Sequence, residues 1–228
     1  MAASIPPPAQ RLPADLAGPI TVALARPQET IPDPGALAGG CVYELKWDGF
    51  RCVIVRDAAG ARLWSRQGTD LTARFPEITT AAAAQIPVGS VIDGEVVIWN
   101  GDHLDFDLLQ RRLVTGAARI RELVNTHQAS FVAFDLLATA GTDLRTQLWR
   151  SRRAALEQLA RWEPPLQLSP PPKTSPLPGP GWPITAPPAS KASSSKAPPP
   201  DTPPGNGTGS KSKAALPMRS SSGQSSAQ

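Results

Sequence analysis

Four short clusters of residues able to do chemistry follow one another along this 228-residue chain. The first is Lys46-Trp47-Asp48-Gly49-Phe50-Arg51. A lysine amine attacks as a nucleophile only when neutral, and a free lysine keeps its proton up to a pKa of about 10.4. Partial burial, neighbouring cations or a bound metal must lower that value. Asp48-Gly49 lets the backbone turn tightly just after the amine, and Arg51 is spaced to reach back toward an oxygen-rich group. The second cluster, Ser65-Arg66-Gln67-Gly68, offers another guanidinium. In the third, Asp93-Gly94-Glu95-Val96-Val97, the Glu95 carboxylate can accept from a hydroxyl or help hold a hard cation. The fourth, Phe131-Val132-Ala133-Phe134-Asp135-Leu136-Leu137, carries Phe134, whose flat π-face suits a planar ring. Each has a plainer alternative: Lys46 a surface charge on a hairpin, Arg66 a solvated loop charge, Glu95 an exposed strand carboxylate, Phe134 core. His103 and His127 lie beside turns or helix ends and are assigned no role.

The elements that must position these residues follow from periodicity and turn chemistry. Alternation predicts a strand over 41–46, with Lys46 at its end, and β-branched residues predict another over 50–56. Ala58-Ala59-Gly60 turns the chain into a strand over 62–65, completing a small antiparallel meander. A proline at the first helical position followed by alanines predicts a helix over 76–85. A strand over 91–99 meets the hairpin signal Asn100-Gly101, and helical spacing returns over 106–113 and 117–127. Residues 131–137 read as a buried strand, Gly141 breaks the chain, and 148–159 reads as a helix with Arg150, Arg152 and Arg153 toward water. The fold class is α+β, with mainly antiparallel strands interleaved with helices.

Composition divides the chain. Up to about Trp162 it mixes aliphatic, β-branched and charged residues as a globular domain does; beyond, Pro, Ser, Gly, Lys and Ala dominate, and no strand or helix is predicted after Glu163. The expected organisation is a Pro-, Ala- and Gly-rich lead-in to about residue 40 that wraps the domain edge, flexible over 1–19, with the folded unit counted over 20–165 and a disordered tail over 166–228. A net charge of +4 with a pI near 9.4 permits contact with phosphates without requiring it. Cys41 and Cys52, the two cysteines, have neither zinc-site nor disulfide spacing and read as buried, reduced thiols. The first residues lack a basic start and apolar run, and no stretch reaches membrane-spanning length, so a cytoplasmic protein is expected.

The first cluster matches the K-x-D-G-x-R motif of the covalent nucleotidyltransferases, which include DNA ligases, RNA ligases and mRNA capping enzymes. The other clusters resemble that superfamily's S-R-x-G, D-G-E and F-x-x-F-D-L-L elements in order. Over about residues 22–168 the chain resembles the adenylation domain of bacterial ATP-dependent DNA ligases of the repair type. The resemblance implies that Lys46 attacks the α-phosphate of ATP and displaces pyrophosphate. It implies that Glu44, Arg51, Arg66, Glu95 and Phe134 hold the nucleotide, with Arg66 approaching the ribose and nicked strand and Phe134 stacking on adenine, and that Glu95 helps site Mg²⁺. AMP would pass to the 5′-phosphate of a nick in double-stranded DNA, and the strand would be sealed, in repair and recombination. An RNA ligase or capping-type enzyme would share Lys46 and Glu95. A non-catalytic ATP- or DNA-binding remnant would bind nucleotide without a covalent adduct, and an unstable fragment would melt without cooperativity.

Family members continue with an E-G-[LV]-V-x-K strand followed by a K-x-K element; the strand is not found in these 228 residues, and the K-x-K spacing occurs only as Lys211-Ser212-Lys213 in the tail, with no such strand before it. Losing the K-x-K lysines should slow self-adenylylation severely. The tail composition suggests a shifted reading frame. Each codon of the shifted frame takes the third base of one tail codon and the first two of the next. With free wobble bases chosen, residues 189–196 then permit I-E-G-L-V-V-K, and residues 196–215 permit a run containing K-V-K. The tail from about Pro170 is therefore expected to be out-of-frame translation of a ligase gene, against the alternative of a genuine low-complexity linker.

Overall fold

The computed structural model describes residues 11–23, 31–36 and 40–173, together with the backbone of a short strand at Arg219–Ser220. The rest of the expected tail, and its proposed change of frame, lie outside the described residues.

Nine strands and four α-helices are found among the described residues. In chain order they are β1 (Tyr43–Glu44), β2 (Phe50–Asp57), β3 (Gly60–Ser65), α1 (Pro76–Gln85), β4 (Ser90–Asn100), β5 (His103–Leu104), α2 (Phe106–Val114), α3 (Ala117–Thr126), β6 (Ala129–Thr139), β7 (Thr142–Asp143), α4 (Trp149–Leu159), β8 (Leu166–Leu168) and β9 (Arg219–Ser220). The main sheet runs β3-β2-β4-β6-β7 and is antiparallel along that path, with β5 hairpinned onto β4 and β8 lying parallel to β6. The expected α+β class, with mainly antiparallel pairing, is the fold observed.

Strand periodicity explains the two faces of this sheet. Cys52 and Ile54 of β2 and Ile92, Val96 and Ile98 of β4 point into the larger core, where Phe75 and Ile78 near the start of α1 and Leu156 of α4 close over them. Val53, Val55 and Val91 point the other way, under Leu16, Ile20 and Val22. The lead-in thus covers part of a sheet face, rather than only wrapping an edge. Arg51, Asp93 and Glu95 have the same parity as Val53, Val55 and Val91, so alternation alone sends them to that second face.

Helix starts follow their local chemistry. Pro76 occupies the first turn of α1, and the Asp105 carboxylate caps α2 by accepting from the Leu108 amide at 2.9 Å. Behind them, the fully buried Arg112 of α2 donates to Glu77 Oε1 of α1 at 2.7 Å and to the His127 carbonyl at 2.9 Å, tying three helices together.

Four expectations are corrected. The strand predicted over 41–46 is only Tyr43–Glu44, so Lys46 sits in the loop after β1 rather than at a strand end. That strand does not join the meander; it pairs with β9 and bridges to Lys173. Residues beyond Glu163 do form structure: β8 is too short to show a period, yet Leu166 is fully buried beside Phe131. Finally, Arg152 and Arg153 do not face water. Arg152 makes a two-point ion pair with Asp135 of β6 at 2.9 and 2.8 Å, and Arg153 is 5% exposed against the segment after β8.

Candidate nucleotide site

The second face of the sheet gathers most of the expected site. Arg51 of β2 lies directly across from Glu95 of β4 and forks onto Asp93, with Nε to Oδ1 at 3.0 Å and Nη2 to Oδ2 at 2.5 Å. Burial opposes the guanidinium charge, but the hydrogen bonds to Asp93 and the nearby Glu95 and Asp135 carboxylates outweigh it, so the Arg51 pKa is raised further. Its third nitrogen, Nη1, is buried with no hydrogen-bond partner among the described residues. A buried, unsatisfied cationic donor is costly, so this atom is a receptive point for an oxygen ligand.

Phe134 lies on this face, at a bulge. In the β4–β6 ladder Asp93 pairs with Asp135 while Gly94 pairs with Ala133, leaving Phe134 as the extra residue. Bulges re-aim side chains in this way beside functional sites. The ring is 9% exposed, and the Arg51 guanidinium carbon lies 5.4 Å from its centre. Phe134 is thus buried and lines the pocket as well.

That pocket is walled by Glu44, Leu45, Trp47, Glu95, Phe134 and Ser169, and holds room for about one water molecule. Any larger group therefore needs the walls to part. Glu95 is 8% exposed and Glu44 half-buried. Their carboxylates are oxygen donors of the kind a hard divalent cation takes, alongside substrate phosphates. Among the described residues no group of three or more His, Cys, Asp or Glu forms a ready-made cation cage.

Lys46 is half-buried in the β1–β2 loop next to Trp47. Gly49, expected to serve a tight turn, is not among the glycines with positive φ. Its role is close approach: a Cβ there would stand 2.3 Å from the Val96 carbonyl oxygen and 2.9 Å from Glu95 Cγ. Gly68 of the Ser65–Gly68 turn does adopt a left-handed backbone, with φ +82°. The turn is held to β2 by the Arg66 amide donating to the Arg51 carbonyl at 3.1 Å, while the Arg66 side chain is exposed and stands outside the pocket.

The fold therefore brings Glu44, Arg51, Glu95 and Phe134 together, places Lys46 alongside and leaves Arg66 outside the pocket. Trp47, Asp93 and Ser169 were missed as participants. Trp47 and Asp93 stand inside the motif clusters, so proximity in sequence was the available signal; Ser169 had none.

Residues 24–175 match the family model of the ATP dependent DNA ligase domain. DNA ligase C2 of Mycolicibacterium smegmatis is 45% identical over 132 residues, which are 58% of this chain and 37% of that relative. DNA ligase C of Mycobacterium tuberculosis is 40% identical over 138 residues, 60% of this chain and 37% of that relative. A solved structure of mycobacterial DNA ligase D complexed with ATP and MES aligns with a TM-score of 0.46 at 24% identity, over 69% of this chain and 47% of that one. The chain thus spans well under half the length of the curated relatives named here. With the family model matching more than half of its residues and the motif clusters in order along the matched region, the chain belongs to the ATP-dependent DNA ligase domain family.

Proposed function

We propose that this chain carries the nucleotide-binding half of a ligase adenylation site, in which Lys46 takes AMP from ATP as a covalent phosphoramidate. The observation supporting it most directly is the constellation of Arg51, Glu95 and Phe134 on one sheet face beside the Lys46 loop, with the buried Arg51 Nη1 lacking an acceptor among the described residues. The neutral Lys46 amine attacks the α-phosphorus, the bond to the pyrophosphate oxygen breaks, pyrophosphate leaves with that electron pair, and the new phosphoramidate nitrogen gives up one proton to solvent. Arg51 donates to a ribose or phosphate oxygen, Phe134 offers its face to adenine, and Glu95 accepts from a ribose hydroxyl. Mg²⁺, held by Glu95 with Glu44 close by, would neutralise phosphate charge. Exposed Arg66 is suited to the nicked strand rather than to the base. In the whole protein AMP then moves to the 5′-phosphate of a DNA nick, and the 3′-hydroxyl seals the strand, in repair and recombination. The proposed site of action is cytoplasmic; separately, no helix among the described residues is long and apolar enough to cross a membrane.

The segments that would supply an E-G-L-V-V-K strand and K-x-K lysines belong, in this proposal, to the neighbouring reading frame of the tail. Sequencing the gene over codons 170–215 tests that: codons lacking both motifs in that frame remove it. The test of the chemistry is incubation of the full chain with magnesium and ATP labelled on the α-phosphate. Covalent label on the native chain, absent from Lys46→Ala, is the expected result. Equal label on both proteins removes Lys46 as nucleophile, and no label on either makes the chain a non-catalytic remnant.

A further inference from the structure

Lys46 has little backbone support. It stands between the end of β1 at Glu44 and the start of β2 at Phe50. Among the described residues, no backbone hydrogen bond outside helices and strands is made by residues 45–49. What anchors this loop is the next side chain, Trp47, which is 7% exposed, packs against Val97 and Val132 and meets Trp99 edge-to-face at 6.4 Å. The indole Nε1 donates to Ser169 Oγ at 3.2 Å.

Ser169 is in turn held on every polar atom. Its amide donates to the Ala133 carbonyl at 2.8 Å, and its carbonyl accepts from Arg153 Nη2 at 2.7 Å. Arg153 is braced by Glu157 one turn along α4, with Nε donating to Oε1 at 2.8 Å. Burying an arginine is expensive unless it is well bonded, and Arg153 Nη1 has no partner among the described residues, so packing economy alone does not account for the residue.

We propose that Arg153 and Ser169 are positioning residues for the Lys46 nucleophile. Arg153 fixes the Ser169 backbone, Ser169 Oγ fixes the Trp47 indole, and the indole sets the direction of the preceding lysine. Neither residue touches a reacting atom. Small errors in the placement of a nucleophile cost rate more than binding, because only the reactive geometry is lost. The inference rests on Lys46 being the nucleophile.

The test measures label transfer from α-labelled ATP to the full chain across a range of ATP concentrations, for Ser169→Ala, Ser169→Thr, Trp47→Phe and the Ser169→Ala/Trp47→Phe pair. Ser169→Ala is expected to lower kcat about fivefold, or about 1 kcal/mol at 1.36 kcal/mol per tenfold, with KM within twofold. Ser169→Thr keeps the hydroxyl and restores most of the rate, and the double variant loses no more than Trp47→Phe alone. Arg153→Met follows Ser169→Ala, and Arg153→Lys recovers part of the loss. Native kcat in Ser169→Ala, or single effects that add in full, overturns the relay. Should the native chain form no adduct, the nucleotidyl-transfer reading fails separately. The relay is then decided by trace acetylation of Lys46 with acetic anhydride, followed by mass spectrometry with Lys173 as internal reference. A Lys46 rate changed at least twofold by Ser169→Ala supports it, and an unchanged rate overturns it.

Discussion

Replacing Gly49 by alanine is the sharpest probe of how the lysine loop is seated. The added Cβ would stand 2.3 Å from the Val96 carbonyl oxygen, 2.8 Å from Val97 Cγ1 and 2.9 Å from Glu95 Cγ. The first of these is backbone at the end of the β2–β4 ladder, where Phe50 pairs with Val96, which β6 holds on its other side through Phe131, so it cannot rotate away. Restoring ordinary contact requires the loop to lift off β4 by about 1 Å. Overpacking of this kind costs about 1–3 kcal/mol. At roughly 2–4 °C per kcal/mol for a domain of this size, the melting midpoint should fall by about 4–8 °C for a cost near 2 kcal/mol. A shift of about 1 Å in a nucleophile can also lower rate about a hundredfold, so Lys46 adenylylation should fall far more than the folded fraction does. Gly35→Ala, where a Cβ meets nothing within 4 Å, serves as the control and should melt like the native chain. A Gly49→Ala variant that melts within 1 °C of native and retains its rate within about twofold would refute the close-approach reasoning.

Three further outcomes are expected. Arg112→Met leaves Glu77, whose side chain is 4% exposed, buried against the Ala129 amide without its cation; it should cost about 3–5 kcal/mol in urea unfolding, and pairing it with Glu77→Leu should recover part of that. Asp105→Ala removes the cap of α2 and should cost about 1 kcal/mol at neutral pH. The Leu108 amide, then Asn100, hold the Asp105 pKa below its ordinary value, so this contribution is full above the usual carboxylate pKa and is lost as pH falls through the depressed one; a gap between native and variant that widens on acidification contradicts it. Burial, then the charges of Glu95 and Asp93, push the Cys52 thiol up, so in a Cys41→Ser background Ellman's reagent should label Cys52 only after denaturation, and prompt labelling in native buffer would be contrary to its packing.

Much of this was legible in the chain itself because it depends on local rules. Pro76 with its following alanines marked α1, Asn100-Gly101 marked the turn after β4, and the β-branched, apolar run over 50–56 marked β2 as a strand. The motif clusters likewise named the family without any coordinates, since they are runs of residue types at fixed short spacings.

Other features were closed to such rules because they join distant residues. Periodicity separates the faces of one strand but does not say which faces of two strands coincide; the β2–β4 register did that, setting Arg51 opposite Glu95. An extra residue at Phe134 of β6 set Asp135 opposite Asp93, and a bulge has no reliable signature in residue type. Arginines on a helix read as solvent-facing until a carbonyl or carboxylate arrives to meet them, as the Ser169 carbonyl does for Arg153 and Asp135 for Arg152. The amino-acid sequence thus determined which chemical groups this protein has and which short elements carry them. Tertiary structure decided which groups meet, because a buried charge or polar atom keeps its place only where a partner from elsewhere in the chain offsets the loss of water.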